Sequence, residues 1–240
     1  MKNFVLFLIS TLFLFQVHAS DKRSESTSSS DQSKYWSYDL KNLYEKKVDN
    51  QGRGYEPLSE LRNFRVVLYG ILYRSGANNV YNTKNKRDNE NPISNQGLKE
   101  LCQQNFSTAF YLYKRNFDQA EKSVTCETKD QHTNHFQYQQ LSALEPKNEK
   151  TFLQVIHKAI EEPGKPILVH CWNGWHASGL ISTLALRQFC KFNSDEAVKY
   201  WTKNTDGNSE GYKKIIKRIG GKQKTSHLCA SMNISTTNQL

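Results

Sequence analysis

The chain has 240 residues, 37% of them hydrophobic and 12% aromatic, and a formal net charge of +10. That suits one domain with tails, aromatic enough to hold a core and basic enough to meet an anionic surface or a phosphorylated ligand. No nucleic-acid motif is present and no apolar run is long enough to span a bilayer, so neither a nucleic-acid partner nor a membrane span is expected.

The first 19 residues read as a secretory signal. Lys2 supplies the positive end, Phe4 to Phe15 the apolar stretch, and Val17-His18-Ala19 a small-residue cleavage site. Export, periplasmic or secreted, is the expectation, and it leaves about 220 residues for the mature chain. Residues 20–34 are rich in Ser, Asp, Lys and Gln without an apolar period, and read as a disordered linker. The folded domain is expected over 35–225, with a tail over 226–240. An oxidising compartment lets disulfides persist, and the five cysteines leave one thiol over. Cys171 is the natural odd one out. The other four allow three pairings, of which Cys102–Cys126 with Cys190–Cys229 is the expected one.

Tyr35 to Arg62 carries scattered aromatics that suit a wrapping segment. Phe64 to Leu68 and Gly70 to Gly76 read as two short strands with a turn at Gly70. Asn78 to Asn91 reads as a surface loop. Ser94 is placed to cap a helix running to about Gln104, with Leu98, Leu101 and Cys102 inward. Thr108 to Tyr113 reads as a strand, Asn116 to Asn134 as a polar loop, and Phe136 to Leu141, which alternates, as a half-buried strand. Asn148 to Glu162 is an amphipathic helix with Phe152, Val155, Ile156, Ala159 and Ile160 on one face, stopped by Pro163-Gly164. Pro166 to Val169 is a buried strand and Leu180 to Leu186 a helix. Ser194 is expected to cap the next helix, with Ala197, Val198 and Trp201 inward. A last helix sets Tyr212, Ile215, Ile216 and Ile219 against a solvated face of Lys213, Lys214, Lys217 and Arg218. The alternation predicts an α/β three-layer sandwich with a mainly parallel central sheet.

Between that last strand and its helix lies His170-Cys171-Trp172-Asn173-Gly174-Trp175-His176-Ala177-Ser178-Gly179. A strand, a tight loop led by a cysteine and a helix N-terminus make an anion cradle with a nucleophile in it. The same field favours a thiolate.

This segment resembles the signature loop of the cysteine-dependent phosphatases, the tyrosine and dual-specificity group. Their pattern is His-Cys, five residues, Arg, then Ser or Thr. His170, Cys171, Gly174 and Ser178 match, and the arginine position is Ala177. Leu72-Tyr73-Arg74-Ser75 is similar to the strand that opens the domain in small atypical members. The resemblance covers roughly residues 64 to 220 and implies a phosphatase-like fold without a cofactor. It implies Cys171 as nucleophile, Ser178 as the hydrogen-bond partner of its sulfur, and His170 as a structural residue of the loop.

Two of the family's catalytic parts are missing. An arginine at 177 would bring two charge-assisted hydrogen bonds to an oxyanion, about 1.5–3 kcal/mol each. The general acid is an aspartate some thirty residues before the cysteine, but Phe136 to Lys150 holds Glu145 and no Asp, and the nearest Asp before it is Asp130. Each loss removes ~10²–10⁴ in rate. His176, beside the vacant position, is a candidate substitute cation, and Arg74 is another if the fold brings it to the loop. Trp172 and Trp175 either wall a ligand or close the cradle by packing. Asn173 and Gly174 complete the candidate ligand-binding set. His170, Cys171 and His176 are too contracted for a metal, so none is expected. The expectation is an exported pseudophosphatase that binds a protein partner or an anionic ligand. The alternative is a divergent phosphatase acting through Cys171.

Overall fold

The structure is a computed structural model, and it describes residues 43–78 and 92–221. The expected signal, the Ser-rich linker, most of the expected surface loop at 78–91 and the C-terminal tail with Cys229 lie outside the described residues.

Six strands form one mixed sheet. They are β1 (Leu61–Leu68), β2 (Leu72–Ala77), β3 (Thr108–Tyr111), β4 (Ser123–Glu127), β5 (Thr133–Gln140) and β6 (Ile167–Cys171), in the order β1-β2-β6-β3-β5-β4. The four central strands β2, β6, β3 and β5 run parallel, and each edge strand is antiparallel to its neighbour. The expected strand pair at Phe64 to Gly76 is a hairpin with Gly70 at φ 71°, a conformation that favours glycine. The central β6 is buried along its whole length, as a parallel strand covered on both faces should be.

Helix α1 (Asn95–Gln103) covers one face, against β4 and β5. Ser94 caps it by accepting from the Gly97 N–H at 3.1 Å. Leu98, Leu101, Phe106, Phe136 and Tyr138 fill this side of the core. The other face carries α2 (Glu149–Glu161), α3 (His176–Cys190), α4 (Ser194–Lys203) and α5 (Lys213–Gly220). Phe152, Ile156, Leu180, Leu184, Trp201, Ile215 and Ile219 pack there. Val155, Ala159, Ile160 and Val198 are only partly buried at its margin, and so is Ile216. The result is the expected three-layer α/β sandwich.

Three local expectations are corrected. The polar stretch 116–134 is not all loop, because β4 lies within it. Its alternation is hidden by short polar residues, and pairing with β5 decides its conformation. Helix α4 is capped by Asn193 rather than Ser194. The Asn193 side chain accepts from the Asp195 and Glu196 N–H groups, and Glu196 accepts from the Asn193 N–H, a capping box. Arg218 is not on a solvated face. It pairs with Glu149 at 2.6 Å and donates to the Ala143 carbonyl at 3.0 Å, which ties α5 to the start of α2.

Cys102 on α1 and Cys126 on the edge strand β4 form a disulfide across 24 residues, as expected from the sequence. Cys190 is also disulfide-bonded, and Cys171 is a free thiol. Closing a loop of this length restricts the unfolded chain, worth about 3 kcal/mol in the chain-entropy account. The double substitution Cys102→Ala/Cys126→Ala should therefore lower the melting temperature by several degrees in calorimetry, with β4 the first segment to lose amide-exchange protection.

Candidate functional site

The site is the loop from Cys171 at the end of β6 to the first turn of α3. It lies at the carboxyl end of a central parallel strand, where open α/β sheets place their ligands. Cys171 is 2% exposed and Ser178 is fully buried, with their side-chain sulfur and oxygen 3.4 Å apart. This is the contact the resemblance implies for the pair.

Four successive loop carbonyls are drawn into the protein. Trp172 accepts from the Ala77 N–H at 3.0 Å, and Asn173 accepts from the Asn63 side-chain amide at 2.6 Å. Gly174 and Trp175 both accept from Nη2 of Arg74, the second at 3.0 Å. Every peptide bond here is trans, so each carbonyl turned inward turns the next N–H the opposite way. The N–H groups of Asn173, Gly174, Trp175 and His176 thus face away from the body, and none has a partner among the described residues. That is an anion-binding nest. Helix α3 adds the partial positive charge of its N-terminus beneath it.

Two glycines make this fold of the loop possible. Gly174 sits at φ +76°, and any Cβ on it would overlap the β2 backbone at Ser75 and Gly76. A Cβ on Gly76 would in turn overlap the carbonyl of Trp172. Asn63 reaches the loop because it occupies a bulge in β1 with φ 49°, between Arg62 and Arg65. A bulge re-aims the side chain at that position.

Arg74 does reach the loop, but from behind. Its guanidinium is fully buried and engaged with carbonyls, so it does not substitute for an arginine at 177. Arg65 lies opposite it on β1. Burial, helped by the Arg74 cation, pulls Arg65 down to about 10, still charged at neutral pH. Asp206 balances this pair from the α4–α5 connection. It lies 3.5 Å from Arg65, accepts from Lys46 at 2.6 Å and Asn50 at 2.7 Å, and receives the Trp175 indole N–H at 3.0 Å.

His176 is no substitute cation either. Burial depresses its pKa below the ordinary 6.5 and the Arg74 cation adds to this, against an opposing contact with the Asn208 carbonyl. The imidazole is uncharged at neutral pH. It donates to Asn208 at 2.7 Å and stacks on Tyr212 with ring centres 3.7 Å apart. Ala177 itself is 1% exposed and belongs to the apolar core.

His170 is structural in a specific way. It is fully buried and stacked between Tyr111 and Tyr138. The Ile93 N–H donates to the Tyr138 hydroxyl, which is left to donate to Nε2 of His170 at 2.7 Å. Burial pushes the His170 pKa down to about 3, and a contact with the Cys171 backbone offsets this only in part.

Above Cys171 opens a cleft of about 440 Å³. Trp172 and Trp175 are half-buried and line it, with Asn173 and His176. Tyr113, Asn208, Glu210 and Tyr212 complete most of the wall. Sequence reasoning missed these four and Asp206, because they come from other segments and carry no motif. Glu145, the carboxylate in the expected acid segment, is not among the lining residues. It pairs with Lys114 and Lys147 at the surface.

The state of His170 has a consequence for stability. In the unfolded chain it protonates near 6.5 and in the fold only near 3. Between these values the unfolded chain binds more protons, so stability falls as pH drops, by up to about 1.4 kcal/mol per unit. His170→Gln should flatten the melting temperature against pH between about pH 6 and 4. The carboxyl of Asp206 is raised by burial but held lower overall by Lys46, Asn50 and Arg65, so its loss on protonation comes in more acid solution.

The sequence matches no protein-family model and no curated protein. Among solved structures, the chain is similar to the crystal structure of P. aeruginosa TpbA, at 16% identity over 72% of this chain and 92% of that one, with a TM-score of 0.42. It is similar to TpbA in complex with pTyr, at 15% identity over 79% and 98%, TM-score 0.43. It is also similar to a mutant form of Tk-PTP, at 14% identity over 65% and 93%, TM-score 0.41. Likenesses this remote carry nothing about the chemistry of this chain. The six-stranded α/β fold, with a cysteine-led loop between β6 and α3, is phosphatase-like on its own geometry.

Proposed function

We propose that this chain is a non-catalytic, phosphatase-like binding protein that works outside the cytoplasm and takes a phosphoryl-bearing ligand on the Cys171 loop. The observation that carries this reading is the loop itself. Its carbonyls are held inward and its N–H groups are left for an anion, while position 177 holds a buried alanine. The loop amides and the Cys171–Ser178 pair are thus retained, while the arginine and the aspartate acid that turnover needs are not. Among the described residues, no lysine or arginine lines the cleft in place of the missing guanidinium. Export is supported by the N-terminal signal pattern and by the disulfide state of Cys102, Cys126 and Cys190.

The mature protein should bind inorganic phosphate or vanadate and yet give no Cys171-dependent turnover of p-nitrophenyl phosphate or a phosphotyrosine peptide. Ala177→Arg should tighten oxyanion binding by roughly tenfold or more without restoring turnover, because the acid is still absent. Turnover abolished by Cys171→Ser would overturn the reading in favour of a divergent cysteine phosphatase.

A further inference from the structure

The wall of the cleft is not built for a second anion. The chain has 33 lysines and arginines against 23 acidic residues, yet among the described residues no lysine or arginine lines the cleft, and Glu210 is its charged member. The rest of the wall is largely aromatic, from Tyr113, Trp172, Trp175 and Tyr212, with a neutral His176 between. These rings are held in place. Asp206 fixes the Trp175 indole, and His176 stacks on Tyr212 while bonded to Asn208. Tyr212 is 38% exposed, large for an aromatic residue of this molecule.

From this we infer that the outer half of the cleft is a cation-accepting aromatic cage whose ligand carries a methylated ammonium group. Electron-rich ring faces attract a poorly hydrated cation, and a carboxylate at the rim adds a Coulomb attraction. A primary ammonium holds its water more tightly and gains less from such walls. The inference rests on the proposed phosphoryl site for its second half. Phosphoryl on the loop amides and ammonium against the rings make the ligand a zwitterion of phosphocholine type. At about 440 Å³ the cleft has ample room for such a group.

The test uses the mature chain, with titration calorimetry and the fluorescence of its tryptophans as readouts. The probes are inorganic phosphate, choline, phosphocholine, phenyl phosphate and glycerophosphocholine. Phosphocholine should bind about tenfold tighter than phosphate or phenyl phosphate, and Glu210→Gln or Tyr212→Leu should each remove about fivefold of that preference while leaving phosphate binding unchanged or improved. Both residues are exposed, so neither change threatens the fold. Phenyl phosphate matching phosphocholine, or a preference that survives both substitutions, overturns the cage while the phosphoryl site stands. Choline bound without any phosphate binding removes the phosphoryl site and upholds the cage. Equal binding of glycerophosphocholine identifies a lipid-type headgroup as the source, and binding of the monoester alone identifies a free phosphomonoester; either result upholds the cage.

Discussion

The loop depends on one buried guanidinium. Arg74 sits on β2, a hundred residues before Gly174, and holds the carbonyls of Gly174 and Trp175 from inside the molecule. An arginine can bridge two carbonyls because its donors are fixed in a plane, which an ammonium cannot imitate at the same depth. With Asn63 and the Ala77 N–H it turns four peptide groups the same way. The cradle is thus a consequence of what lies behind it. The cation that serves the loop binds its carbonyls from behind.

A charge buried so completely needs compensation. Loop carbonyls supply part of it for Arg74, and Asp206 supplies the countercharge beside Arg65. The same carboxylate gathers Lys46 and Asn50 from the N-terminal segment and the Trp175 indole from the loop. One acidic residue in a connection between helices therefore joins the wrapping segment, the edge hairpin and the mouth of the cleft. Gly179 adds a steric condition, since a Cβ there would press on Trp201 and on the Arg74 guanidinium at 3.1 Å. The first turn of α3 approaches β2 closely because that position is bare.

This arrangement separates two properties that one arginine usually joins. An arginine at 177 would both grip the ligand and neutralise its charge as a bond breaks. Here the loop amides turn outward without it, and Ala177 completes the apolar core. The pocket above is lined by aromatic side chains and one carboxylate, Glu210. Cys171 keeps its contact with Ser178 as the floor of that pocket.

Much of the fold was legible in the chain because local signals agreed. The buried run before His170, the amphipathic stripe of Phe152 and Ile156, the Ser94 cap and the turn at Gly70 each act within a few residues. The loop announced itself through Cys171, Gly174 and Ser178, and the odd cysteine count singled out Cys171, which is free while Cys102, Cys126 and Cys190 are disulfide-bonded. Where polar residues carried the structure, local reading failed: β4 is a strand because β5 pairs with it, and Arg218 is an anchor because Glu149 faces it. Sequence alone determined the order of elements and the absence of an arginine at 177, since both are properties of neighbouring residues. Only the tertiary structure decided that Arg74 holds the back of the loop, that His176 is uncharged, and that Tyr113, Glu210 and Tyr212 share a cleft with Cys171. Those facts depend on contacts between distant segments and on burial, and neither has a local signature.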